Sequence, residues 1–248
     1  MPHEFEVRKE ITVDATPEQV WEAIATGPGL NAWFMGSANE VEPREGGRVT
    51  LAFGDEPIQA TVSAWDPPRR FGYRGESEDG STFMAFEYLI EGRAGGSTWV
   101  RFVQSGMLGD DWESEYDALN EGDAMYLHAM AQYVTYFRGR PATYVSTALP
   151  QAADRDRALA LLRGALGLAG PAHEGDPVRF TPNGLAPIEG VVDYVSPSVL
   201  GVRTDDALYR FLHATGNTVF LGHHIYRDDV DQKETEAGWQ SWLTGLFG

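Results

Sequence analysis

Hydrophobic and polar residues alternate at the start of the chain. Phe5, Val7, Ile11 and Val13 stand against Glu6, Arg8, Glu10 and Thr12, which predicts a strand with one buried face. Thr16-Pro17-Glu18-Gln19 then reads as a helix start: Thr16 caps, Pro17 suits the first helical position and Gln19 completes a capping box. Val20, Trp21 and Ile24 form the apolar face of that helix, and Gly27-Pro28-Gly29 stops it. A short second helical turn carries Leu30, Trp33 and Phe34. Beyond it the pattern shortens to strands at 38–42, 48–53, 58–65, 70–74, 82–90 and 98–104, divided by turn residues such as Gly46-Gly47, Asp79-Gly80 and Gly95-Gly96. Short strands in close succession predict an antiparallel meander. An acidic stretch follows at 110–123, and its cluster Asp110–Glu121 reads as a solvated face or helix entry. Met125, Ala129, Met130, Tyr133, Val134 and Phe137 then lie on one face of a long helix, ended by Gly139 and Pro141.

The pattern is written twice. Pro57-Ile58, Val62 and Pro67 recur as Pro187-Ile188, Val192 and Pro197, and Glu45-Gly46 recurs as Glu174-Gly175. The spacing far exceeds the roughly 20–50 residues of solenoid repeats, so it predicts a duplicated domain. In the second copy a strand at 143–149 and a helix at 154–166 precede strands at 178–181, 188–195, 200–203, 207–213 and 218–226. A final helix carries Trp239, Trp242, Leu243, Leu246 and Phe247. This copy has no counterpart of the 33–42 segment. The division expected is a first domain over 1–140 and a shorter, diverged second one over 141–248.

Composition narrows the function classes. The 248 residues contain no cysteine, which excludes disulfides, thiolate metal sites and cysteine nucleophiles. A net charge of −18 argues against nucleic acid and anionic membranes as partners. No apolar run approaches the roughly 20 residues of a membrane span, and the start of the chain, Met1-Pro2-His3-Glu4, lacks the basic and apolar regions of a signal peptide. A cytoplasmic protein is expected. His223-His224 does not form a chelating pair, because adjacent strand residues point to opposite faces. No phosphate loop, nucleophile elbow or zinc motif occurs, so neither cofactor nor metal is expected.

Strand, helix pair, antiparallel strands and long closing helix follow the order of the helix-grip fold. The first copy resembles the START-like (SRPBCC) superfamily and, more narrowly, the bacterial family similar to the activator of Hsp90 ATPase. The residues that carry the resemblance run from Val7-Arg8-Lys9-Glu10-Ile11 and Thr16-Pro17-Glu18-Gln19-Val20-Trp21 through Trp33-Phe34, Glu45-Gly46-Gly47 and Trp65-Asp66-Pro67-Pro68-Arg69-Arg70-Phe71 to Gly96-Ser97-Thr98 and Gln104-Ser105-Gly106. One departure stands out. Such families open the last helix with a Gly-Trp pair; the first copy reads Gly122-Asp123, whereas the second has Gly238-Trp239.

The resemblance implies an α+β fold of the START/Bet v 1-like helix-grip type, in two tandem copies with the second truncated. It also implies an apolar cavity between a curved sheet and the long helix. Candidate ligand-binding residues in the first copy are Trp33, Phe34, Phe53, Tyr73, Phe86, Tyr88, Trp112, Tyr126, Met130 and Tyr133. The expected function is non-catalytic binding of a small hydrophobic or aromatic molecule. Two alternatives stand beside it. One is a protein-interaction module with a chaperone as partner, implied by the resemblance alone. The other is a polyketide cyclase or dehydratase-like enzyme using His128, or Glu87 if that side chain faces inward.

Overall fold

The structure, a computed structural model, describes residues 3–52, 57–77, 80, 82–182 and 184–248. The chain divides into two units, Met1–Pro141 and Ala142–Gly248. In the first, β1 (His3–Val13) is followed by α1 (Pro17–Ala25), α2 (Gly27–Asn31), β2 (Glu40–Val41), β3 (Arg48–Leu51), β4 (Ile58–Asp66), β5 (Arg70–Glu76), β6 (Phe83–Gly92) and β7 (Thr98–Leu108). The unit closes with α3 (Trp112–Gln132), which runs into a π-helical turn at Tyr133–Phe137. The seven strands form one antiparallel sheet in the order β1-β7-β6-β5-β4-β3-β2, so the first strand pairs with the last.

The second unit repeats the circuit with fewer parts. It comprises β8 (Thr143–Leu149), α4 (Arg155–Ala165), β9 (Pro177–Phe180), β10 (Ile188–Val195), β11 (Val199–Arg203), β12 (Ala207–Ala214), β13 (Thr218–Ile225) and α5 (Gln232–Phe247). Its sheet runs β8-β13-β12-β11-β10-β9, again with the first strand beside the last. Between α4 and β9 no described residue forms a counterpart of α2 or β2. Each unit is thus a helix-grip fold, and the second is the truncated copy.

Strand register shows that the repeated sequence motif occupies the same place in both sheets. A row of paired residues crosses the first sheet as Val62, Tyr73, Phe86, Gln104 and Val7. The corresponding row crosses the second as Val192, Val202, Tyr209, His223 and Val145. A bulge follows each motif valine, between Val62 and Ala64 and between Val192 and Tyr194. The turn before it is repeated too: Gly46 N donates to Val62 O at 2.9 Å and Gly175 N to Val192 O at 2.8 Å. Both glycines have left-handed backbones, φ 74° and 91°, which explains why Glu-Gly recurs here.

Local signals account for the helices. Thr16 Oγ1 accepts from Gln19 N, and Gln19 Oε1 accepts from Thr16 N at 2.9 Å, which completes the capping box ahead of Pro17. Replacing Thr16 with alanine should therefore cost about 1 kcal/mol of stability, read as a lower urea midpoint with unchanged slope. Asp154 and Asp231 cap α4 and α5 through the backbone amides of Arg157 and Glu234. No helix among the described residues is long and apolar enough to cross a membrane.

The core of the first unit lies between the inner face of the sheet and α3. Buried residues alternate with less buried ones along the whole of β7, and Met125, Ala129 and Met130 face them from α3. In the second unit Trp239, Trp242 and Leu243 of α5 pack against Val145, Tyr209, Phe211 and Leu221. On the opposite face of that sheet Arg210 donates to both carboxylate oxygens of Asp193, at 2.9 and 2.7 Å, in a buried pair. Gly201 lies between them, and a Cβ there would come within 2.8 Å of both side chains.

Candidate functional site

The alternation of β1 sends Lys9 to the same face as Phe5 and Val7, toward α3 rather than to solvent. Its amino group donates to Asn120 Oδ1 of α3 at 2.6 Å. On β7 the same face carries Phe102 and Gln104. β5 and β6 add an aromatic wall: Tyr73 stacks on Phe86 with centroids 4.8 Å apart, Tyr88 meets Phe102 at 4.9 Å, and Phe71 joins both tyrosines.

Asp123 of α3 stands over this wall. The Gln104 amide turns its nitrogen to the carboxylate and donates to the two oxygens at 2.9 and 2.7 Å. The reverse orientation would put that nitrogen 3.1 Å from Met84 Sδ, but it sets amide oxygen against carboxylate oxygen. It becomes favourable only when Asp123 is protonated and can donate in return. Burial pushes the Asp123 carboxyl up to about 7, and the charge of Lys9 partly opposes the rise.

Tyr73 and Tyr88 are 3% and 5% exposed. Burial raises both phenols above their ordinary value, and the negative charge of Asp123 adds to the rise in each. Neither hydroxyl has a hydrogen-bond partner among the described residues. Neither hydroxyl oxygen is among the fully enclosed atoms that lack a partner, so each borders open space rather than packed protein. The interior thus holds a carboxylate and two phenols within electrostatic reach of one another, set among apolar rings.

The residues singled out from sequence distribute unevenly. Tyr73, Phe86 and Tyr88 form the wall beside Asp123. Phe34 and Tyr126 pair at 4.9 Å, both half-buried. Trp33 is buried and its indole N–H donates to Ala23 O at 2.9 Å, which ties the segment after α2 back to α1. Met130 is fully buried, and Tyr133 accepts from Gly139 N at 3.2 Å. Trp112 stands apart at the first turn of α3, 37% exposed and stacked on His3. Phe53 lies outside the described residues. Glu87 does not face inward: it accepts from Arg70 Nε at 2.7 Å on the outer side of the sheet, opposite Phe86 and Tyr88. His128 lies half-buried on α3.

Lys9, Gln104 and Asp123 were not among the candidates. Two signals pointed toward this region: the odd-numbered phase of β1, and Asp123 after Gly122 where the second copy has Trp239 after Gly238.

The sequence profile described as polyketide cyclase/dehydrase and lipid transport matches residues 4–135, just over half the chain. The chain belongs to this family. No curated protein matches it significantly. Among solved structures it is similar to a protein of Mesorhizobium loti, at 20% identity over 52% of this chain and 95% of that one, with a TM-score of 0.45. The Aha1 dimer of Colwellia psychrerythraea is 18% identical over 54% of this chain and 99% of that one, with a TM-score of 0.46. The di-domain ARO/CYC protein BexL, from the BE-7585A biosynthetic pathway, is 14% identical over 97% of this chain and 94% of that one, also at 0.46.

The polyketide cyclase/dehydrase match stops before the second unit, where the corresponding positions differ in kind. His223 takes the row position of Gln104, and Trp239 is the tryptophan of the closing helix. The two rings meet at 4.4 Å and 63°. Trp239 also touches Tyr209, Phe211 and Trp242. Burial holds His223 neutral, its pKa lowered to about 3, and its Nδ1 accepts from Arg210 N at 3.2 Å. A cavity of about 270 Å³ remains at one end of this unit, floored by Tyr209, Ile225 and Trp239 and edged by Thr204, Asp206 and Arg227. Where the family member's first unit keeps a carboxylate, its second is packed with aromatic rings.

Proposed function

We propose that the first unit binds a small hydrophobic or aromatic molecule between its sheet and α3 without transforming it. The observation that carries this reading is the inner face itself: an aromatic wall on which two buried phenols have no partner among the described residues. Apolar contact supplies affinity at about 25 cal/mol per Å² buried, before the costs of association. Membership of a family described by cyclisation, dehydration and lipid transport supports a small-molecule ligand. The second unit, its interior occupied by Trp239, acts as support, and the protein works in the cytoplasm. Native mass spectrometry of the protein as purified should show a retained small apolar molecule, identified after denaturation. Phe86→Ala should reduce its occupancy severalfold. An apo mass that a panel of lipids and polycyclic aromatics leaves unchanged would overturn the reading.

A second reading is favoured by one specific feature. A half-buried carboxyl with a pKa raised to about 7 can both take and give a proton near neutral pH. In a cyclase or dehydratase, Asp123 would hold and move that proton. Asp123→Asn would then abolish turnover of an aromatic polyketide while leaving its binding in place. Turnover unchanged in this variant would exclude Asp123 from the chemistry.

A further inference from the structure

We infer that Asp123, Tyr73 and Tyr88 form a recognition site for a hydroxyl group, and that the ligand of the first unit is a hydroxylated aromatic molecule. The inference rests on the reading that this unit binds a small aromatic or apolar molecule, and it goes further by naming the group that selects among such molecules.

Three observations carry it. First, the second copy shows how this fold closes its interior when it holds rings there: Trp239 lies against His223 and Tyr209. At the corresponding place the first copy has the smaller, polar Asp123, held by the Gln104 amide. A half-buried carboxylate costs stability unless it is well paired, and Lys9 has its amino group on Asn120. Second, the Gln104 amide meets only part of the acceptor capacity of two carboxylate oxygens. Third, Tyr73 and Tyr88 are more than nine-tenths buried, with no hydrogen-bond partner among the described residues.

These groups define the complement they lack. Asp123 needs a donor. The two phenols need an acceptor for their hydrogens. A hydroxyl is both, so one kind of group answers the carboxylate and the phenols alike. An ether oxygen accepts but cannot donate to Asp123. An ammonium donates but accepts from neither tyrosine. A ligand carboxylate would be repelled by Asp123. The rings of Phe86 and Phe102, stacked beside the phenols, suit an aromatic body behind the hydroxyl.

The test measures binding of matched probes, 2-naphthol against 2-methoxynaphthalene and the corresponding three-ring pair, by calorimetry on the full chain. The naphthol should bind at least about tenfold more tightly than its methyl ether, as expected for hydrogen bonds to a charged partner. In Asp123→Leu, and separately in Tyr73→Phe with Tyr88→Phe, that preference should fall below about threefold while ether binding is retained. The tyrosine variant keeps the wall's shape, so it stays decisive if Asp123→Leu fails to fold. Equal binding of phenol and ether by the wild type, or a preference that survives in the folded variants, would overturn this inference and leave the apolar-ligand reading standing. Failure of every probe, ethers included, would overturn both.

Discussion

Replacing Trp239 with alanine should destabilise the second unit by about 3–5 kcal/mol, the range for removing a buried tryptophan or phenylalanine from a core. Trp239 is 1% exposed and packs against His223, Tyr209, Phe211, Phe180 and Trp242. Its removal takes the cover from a neutral histidine whose Nε2 has no hydrogen-bond partner, and enlarges a cavity that already reaches about 270 Å³. Neighbouring rings cannot collapse into the gap, because Phe211 and Tyr209 are fixed in the centre of the sheet with partners on both sides. Amide hydrogen exchange in β12 and β13 reads the effect directly, as protection lost by two or more orders of magnitude. Protection changed by less than tenfold would show that Trp239 is not the centre of this core.

The architecture was legible because both copies obey simple periodicities. Thr16 to Gln19 announced α1, and the alternation of β1 announced its pairing face. The repeat of Val62 as Val192 marks the same bulge in both sheets. What escaped did so for identifiable reasons. The strand predicted to end at residue 104 runs on to Leu108, because Gly106 is a packing glycine rather than a terminator. A Cβ there would sit 2.3 Å from Phe83 O on the neighbouring strand. α3 starts at Trp112, well before the apolar stripe from Met125. Its first half is acidic, and carboxylates such as Glu113 and Glu115 favour the helix N-terminus through the dipole rather than through an apolar face.

The same acidity hid the site. Asp123 stood only as the end of an acidic stretch and as the partner of Gly122, although its position relative to Met125 and Met130 places it on the turn that leans over β7. Trp112 was one of the candidate lining residues. Being the first residue of α3, it is stacked on His3 at the edge. Tyr73, Phe86 and Tyr88, three of the candidate lining residues, share one face of the sheet, but sequence gave no sign that the two hydroxyls would have no protein partner. That property depends on what lies opposite each ring, which only the closed fold determines.

Asp123→Asn should raise the stability of the first unit at pH 8 and leave it nearly unchanged at pH 4. The sign follows from proton counting. In the folded chain the Asp123 carboxyl titrates at about 7 rather than its ordinary 3.8. Between these values the folded state keeps a proton that the unfolded state has lost. Folding is therefore weakened as pH rises through this window, and the weakening is complete above about pH 7. A displacement of about 3 pH units corresponds to about 4 kcal/mol. Residual exposure of the group reduces the expectation to roughly 2–4 kcal/mol. Asparagine keeps the shape, cannot ionise and still meets the Gln104 amide, so the variant lacks this dependence. The difference between wild type and variant, measured by urea denaturation from pH 4 to pH 8, cancels the contributions of the other carboxylates. A difference that grows with pH is the expected result, and Lys9→Met should steepen it by removing the charge that favours the carboxylate. A constant difference would mean that Asp123 ionises normally in the folded state. If the difference grows, the first unit spends stability at neutral pH to keep a charged group in its interior, and the second unit, with Trp239 in the related position, does not. Such a cost is intelligible at a site that a ligand completes: a bound hydroxyl donor would lower the Asp123 pKa and recover part of the lost stability.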